Sequence, residues 1–166
     1  MARDRRTPVE AWAAEERRLL DRAPAFRAAV DRIVDRALDD VAAAQARDDG
    51  EDKTSSTEAA FTGARARLRR ARRRHRRELA PLDLAPWQRL AADVVRPVGA
   101  SGVTTDARLT ARRAVSWWLP TGLGAATLAG LDPYSGHVQA RARVLAEERT
   151  ARRQARRGRG PADPDA

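Results

Sequence analysis

Residues Glu58 to Leu79 read EAAFTGARARLRRARRRHRREL, and their spacing decides the fold. Phe61, Ala64, Leu68, Ala71, His75 and Leu79 follow one another at steps of three or four, which sets them on one stripe of an α-helix. Most of the other positions are arginine. Arg65, Arg67, Arg69, Arg70, Arg72, Arg73, Arg74, Arg76 and Arg77 therefore spread over the remaining faces, while the thin seam is expected to lie on a partner helix. Guanidinium groups one turn apart repel by roughly 0.2–0.5 kcal/mol per pair, so packing or a bound polyanion must offset them. The acidic stretch Asp39 to Asp52 is a candidate internal partner.

Upstream, Thr7-Pro8-Val9-Glu10 reads as a capping box with proline at the first helical position, after an arm at residues 1 to 6. Trp12, Leu19 and Leu20 give that helix its apolar side, and Ala23-Pro24 ends it. Phe26, Val30, Ile33, Val34, Ala37, Leu38 and Val41 then form the cleanest amphipathic stripe, which predicts the central core helix. RDDGEDKTSST, residues 47 to 57, reads as a polar linker, with Ser55 and Glu58 as the cap of the arginine helix.

Downstream of Ala80-Pro81, a short helix carries Trp87, Leu90, Ala91, Val94 and Val95. Thr105 is expected to cap the next, with Leu109, Ala111, Ala114, Val115, Trp117 and Trp118 toward the core. Leu119-Pro120-Thr121-Gly122 breaks it, and Gly122 to Gly130 is helical or irregular. Asp132-Pro133 is expected to cap a last helix that packs through Tyr134, Val138, Ala142 and Leu145 and projects into solvent from Glu147. No useful run alternates with strand period. The expected fold is all-α, a compact bundle of five to seven helices in one domain over residues 7 to 157, with a basic, partly projecting last helix and a disordered tail over 158 to 166.

The formal net charge is +10 over 166 residues and 18.3 kDa, with a pI near 11.5, which favours polyanionic partners. Residues 1 to 52 hold 10 Arg against 13 acids, net −3, whereas residues 53 to 80 hold 10 basic residues against 2 acids, net +8. Lys53 is the only lysine, Ile33 the only isoleucine, and asparagine is absent, a bias typical of GC-rich coding. The number of positive charges is thus more telling than their being arginine. With no cysteine there is no disulfide, thiolate nucleophile or Cys-ligated zinc. MARDRRTPVEAW lacks the apolar run of a signal peptide, so a cytoplasmic location is expected.

Arginines crowded on one helix are suited to phosphate contact, because neutralising phosphates releases condensed counterions. The expected nucleic-acid contacts are Arg65, Arg69, Arg70, Arg72, Arg73, Arg74, Arg76 and Arg77, with Arg152, Arg153, Arg156 and Arg157 as a second clamp. The ordinary alternative is a solvated face. Trp117 and Trp118 are expected at a partner contact, where they stack on bases or pack on protein; adjacent residues of an α-helix point about 100° apart, so both do not face one core.

AVSWWLPTGLGAATLAGL, residues 114 to 131, is uncharged but broken by proline and glycine, so core or contact surface is expected rather than a membrane span. Its LPTG lacks the spacer of a sortase signal, and GLGAAT follows no strand, so it is no dinucleotide fingerprint. His75 and His137 have no neighbour at metal-ligand spacing, and the acids of residues 48 to 52 lack calcium-loop spacing. No cofactor, metal or catalytic group is expected. The sequence points to a non-enzymatic nucleic-acid-binding accessory protein, contacting DNA or RNA phosphates without strong sequence preference. The alternative is a structural or assembly protein of a larger complex, phage- or mobile-element-associated for example, with a protein partner or a second copy of the chain in place of nucleic acid.

Overall fold

A computed structural model describes residues 7–47 and 52–158 of the chain. The arm at residues 1 to 6 and positions 159–166 of the expected tail lie outside the described residues, as do positions 48–51 of the linker, whereas Gly158, expected in the tail, is the last residue of a helix. The fold is all-α, with no strand among the described residues: α1 (Pro8–Leu20), α2 (Pro24–Gln45), α3 (Lys53–Arg74), α4 (Arg76–Leu79), α5 (Ala85–Val95), α6 (Thr105–Arg113), α7 (Ala125–Ala129) and α8 (Gly136–Gly158). Eight helices replace the expected five to seven for two reasons. His75 leaves the helical region at φ −98° and ψ 20°, which splits the arginine helix into α3 and α4. The stretch after Gly122, left open by its composition, closes into the single turn of α7.

The core is built on α2, whose Phe26, Val30, Ile33, Ala37 and Val41 are buried and whose main packing partners are α3 and α8. α3 runs antiparallel to α2. At one end the Gln45 amide donates to the Thr57 hydroxyl at 3.1 Å; at the other the Glu78 carboxylate accepts the backbone N–H groups of Ala25 and Phe26, each at 3.0 Å. Glu78 thereby supplies the cap that Ala23, without a side-chain acceptor, cannot give to α2. α8 runs parallel to α2, tied by Arg141 to Asp39 at 2.8 Å and by Arg149 to the carbonyl of Ala46 at 3.3 Å. α1 packs on α5 and α7, with the Trp12 and Trp87 rings 5.8 Å apart.

The Thr7–Glu10 capping box forms as its sequence predicts: Glu10 N–H donates to the Thr7 hydroxyl and Thr7 N–H to the Glu10 carboxylate. Three other starts differ. Asp52, not Ser55, caps α3 by accepting the Ser55 N–H at 2.8 Å, so the helix begins inside the expected linker. Thr104, one residue before the expected Thr105, accepts the N–H of Ala107 at 3.3 Å. Ser135 accepts the N–H of Val138 at the start of α8, while Asp132 instead closes a turn through the N–H of Tyr134. Tyr134 is therefore not on the helix and does not pack; it is 78% exposed. Leu109 and Val115, expected inside, are also exposed; the nine-residue α6 and the turn after it bury Ala111, Ala114 and Trp118. Among the described residues no helix is long and apolar enough to cross a membrane.

Candidate nucleic-acid interface

The arginines of α3 and α4 divide into two groups. Arg65, Arg67 and Arg72 are half-buried and bound to the rest of the protein. Arg65 donates to the carbonyl of Ser116 at 3.4 Å and to the Thr62 hydroxyl at 3.0 Å, and its guanidinium lies 5.2 Å from the centre of the Trp117 ring. Arg67 lies 3.6 Å from Asp40, the one described contact between the acidic stretch of α2 and these arginines. Arg72 donates to the carbonyl of Thr121 at 3.2 Å. Its guanidinium occupies the space where a side chain at Gly122 would stand, and Gly122 has φ +73°, a conformation glycine alone adopts at little cost.

The other group, Arg69, Arg70, Arg73, Arg74, Arg76 and Arg77, is exposed, and among the described residues none of the six has an ion pair or side-chain hydrogen bond. Arg69 and Arg73 stand one turn apart, Arg70 and Arg74 on the adjoining row, and Arg76 and Arg77 continue across the His75 break. Glu78, the acid nearest in sequence, does not neutralise them. Its carboxylate faces α2, occupied by Ala25 and Phe26 and 3.5 Å from the His75 Nδ1.

The second expected clamp is elsewhere. Because α3 is antiparallel and α8 parallel to α2, the arginine-rich ends of α3 and α8 lie at opposite ends of that 22-residue helix, roughly 30 Å apart at 1.5 Å per residue. On α8, Arg152 is 3.6 Å from Glu148, and Arg153 lines a groove against Ala43 with Arg149 and Arg156. Arg156 and Arg157 are exposed without a partner among the described residues.

Trp117 and Trp118 belong to a π-helical turn, Ala114–Trp118, whose wider winding reduces the angle between successive side chains. Both rings consequently form T-shaped pairs with the same Phe61, Trp117 at 5.5 Å and 79° and Trp118 at 4.8 Å and 90°. The expectation that adjacent tryptophans cannot share one core contact assumed an α-helix. Trp118 is buried and Trp117 half-buried. Together with Phe61 and Tyr134 they line a cleft of about 570 Å³, whose charged lining residues are Lys53, Glu58, Arg113 and Asp132.

Sequence reasoning missed Glu16, which occupies an apolar face of α1 and is fully buried. Its Oε1 accepts the indole N–H of Trp87 at 3.2 Å and the backbone N–H groups of Gly124 at 2.7 Å and Ala126 at 3.2 Å. Its Oε2 accepts the N–H and hydroxyl of Thr127. Glu16 thus holds the first turn of α7, just after the Thr121-Gly122 segment on which Arg72 rests. Burial pushes its carboxyl above the usual range, and the donors from Thr127, Gly124 and Ala126 oppose that shift without reversing it. A charged residue in the sequence WAAEERRLL, at the position where an apolar one completes the stripe, was the available signal.

Among the described residues no three His, Asp or Glu side chains converge as metal ligands. No family model matches the chain, and neither a curated protein nor a solved structure does.

Proposed function

We propose that the protein is a non-enzymatic nucleic-acid-binding accessory protein that grips phosphates through the free arginines of α3 and α4, without strong sequence preference, in the cytoplasm. The observation that carries this is the sorting of arginines: three serve the fold, and six stand exposed together with no described acid to offset them. Like charges crowded this way destabilise the helix by a few tenths of a kcal/mol per pair. A phosphate backbone removes that repulsion and releases counterions as it binds. Arg65, Arg67 and Arg72 are assigned to the scaffold, so the contact surface narrows to Arg69, Arg70, Arg73, Arg74, Arg76 and Arg77. Arg156 and Arg157 form a separate patch that reaches the same polyanion only if it spans the length of α2.

Fluorescence anisotropy with labelled single-stranded and duplex DNA and RNA across a salt series is the test. Wild type is expected to bind with a steep salt slope, and the variant with Arg69, Arg73, Arg76 and Arg77 changed to Gln with a shallower one. Absence of binding near physiological salt, together with a stable oligomer in solution, overturns the proposal in favour of an assembly protein.

A further inference from the structure

The cleft between the first turns of α3 and the Trp117 turn has no part in phosphate contact as proposed above. Its volume of about 570 Å³ lies within the range of small-ligand sites. We infer that it receives one unpaired nucleobase carrying an exocyclic amino group, a reading that rests on the nucleic-acid function proposed above.

The walls favour a flat ring. Trp117 is held by Phe61, whose ring stands at 79° to its own, and by the Arg65 guanidinium 5.2 Å from its ring centre. An aromatic ring immobilised by its neighbours offers a stacking surface at little entropic cost. Tyr134 stands at the lip, the most exposed of the large apolar side chains, and its ring has no aromatic partner among the described residues. The turn that holds it is fixed by Asp132, which accepts its N–H at 2.9 Å.

The charges favour a base over a phosphate. Lys53 and Arg113 are offset by Glu58 and Asp132, and Arg113 is already bound to Asp132 at 3.0 Å. The cleft is formally neutral, unlike the arginine face. Glu58 is exposed and has no hydrogen-bond partner among the described residues, so its carboxylate is a pure acceptor at the cleft. The amino group of cytosine or adenine supplies the matching donor; thymine and uracil present a carbonyl there instead. A paired base is unavailable, since its edge and faces are engaged in the duplex.

The path to the arginines is short. Phe61 and Arg69 are eight residues apart on α3, about 12 Å at 1.5 Å per residue. A strand with one base in the cleft reaches that first free arginine within roughly four nucleotides.

Anisotropy with end-labelled oligo(dC) and oligo(dT) of roughly twelve nucleotides, and with a duplex of the same length, separates the two surfaces. Wild type should hold oligo(dC) more tightly than oligo(dT). Tyr134→Ala should lose about tenfold on oligo(dC), the scale of one lost stacking contact, and nothing on duplex. Glu58→Gln should erase the preference for dC. The four-arginine variant should weaken on all three probes. Tyr134 and Glu58 are exposed, so unchanged helical circular dichroism verifies that both variants fold. Equal binding of oligo(dC) by wild type and Tyr134→Ala overturns the cleft while leaving phosphate contact intact. If wild type binds no oligonucleotide, phosphate contact fails, and titration with cytidine monophosphate still decides the cleft. Quenching of tryptophan fluorescence that disappears in Trp117→Phe supports it; no quenching in wild type, or a Tyr134→Ala effect on oligomer mass alone, overturns it.

Discussion

Thr127 donates both its backbone N–H and its hydroxyl to Oε2 of Glu16, each at 2.6 Å, across 111 residues of chain. With Trp87, Gly124 and Ala126 on the other oxygen, five donors converge on one buried carboxylate that has no cation beside it among the described residues. Leaving a buried donor unmet costs about 1–3 kcal/mol. Glu16→Ala strands all five donors and opens a cavity. Chemical denaturation should show a loss of roughly 3 kcal/mol or more, while Glu15→Ala, whose carboxylate pairs with exposed Arg18, should lose under about 1 kcal/mol. A Glu16→Ala loss as small as that of Glu15→Ala would show that the donors find water instead.

The same carboxylate makes stability depend on pH. Its pKa is raised by folding, above the ordinary 4.5. Between 4.5 and the raised value the folded state holds more protons than the unfolded chain, so the Glu16 contribution is full below 4.5 and declines as pH rises through the folded pKa. Glu15 acts oppositely: the Arg18 hydrogen bond lowers its pKa, and its contribution declines as pH falls. Unfolding free energies of wild type and Glu16→Gln, measured from pH 4 upward, should therefore converge as pH rises. A constant difference would place the folded Glu16 pKa at its ordinary value.

Gly122 and Arg72 are mutually dependent. A Cβ at Gly122 enters the space of the Arg72 guanidinium, and φ +73° with ψ −151° is a region that side chains avoid. Gly122→Ala should cost about 1–3 kcal/mol from the backbone alone. Arg72→Ala should recover part of any further loss, and the double-mutant cycle should give a coupling of about 0.5–3 kcal/mol. Strict additivity would mean that Arg72 moves aside freely.

The two groups of arginines should separate in a stability assay. Changing Arg69, Arg73, Arg76 and Arg77 to Gln should leave thermal stability unchanged or raise it slightly, since each relieved repulsion contributes roughly 0.2–0.5 kcal/mol. Arg65→Gln should instead lower stability by about 0.5–2 kcal/mol, because its guanidinium on Trp117 and its bond to Ser116 are lost. Equal effects from both groups would contradict the assignment of Arg65 to the scaffold.

Much of the scaffold was legible from local pattern. Phe26, Val30, Ile33, Ala37 and Val41 of the stripe and Phe61, Ala64 and Leu68 of the seam are buried, Val34, Leu38, Ala71, His75 and Leu79 are half-buried, and the Thr7–Glu10 box is formed. Caps were less legible when two acceptors lay within a residue or three of each other, as with Asp52 and Ser55, because either satisfies the same free N–H groups. The π-helical turn at Ala114–Trp118 escaped entirely: residue spacing tests a chosen period and cannot announce a change of period.

The sequence by itself determined the helical class, the central helix and the excess of positive charge, because each depends on residue type and spacing along a single helix. The tertiary structure alone decided which arginines are free. Arg65, Arg72 and Arg73 are equivalent in sequence, yet only the fold of residues 116 to 122 onto α3 turns the first two into scaffold and leaves the third exposed. It also set the arginine-rich ends of α3 and α8 at opposite ends of α2, and brought Glu16 to the start of α7. Each of these depends on partners 49 to 111 residues away, and such pairings leave no periodicity in the chain that makes them.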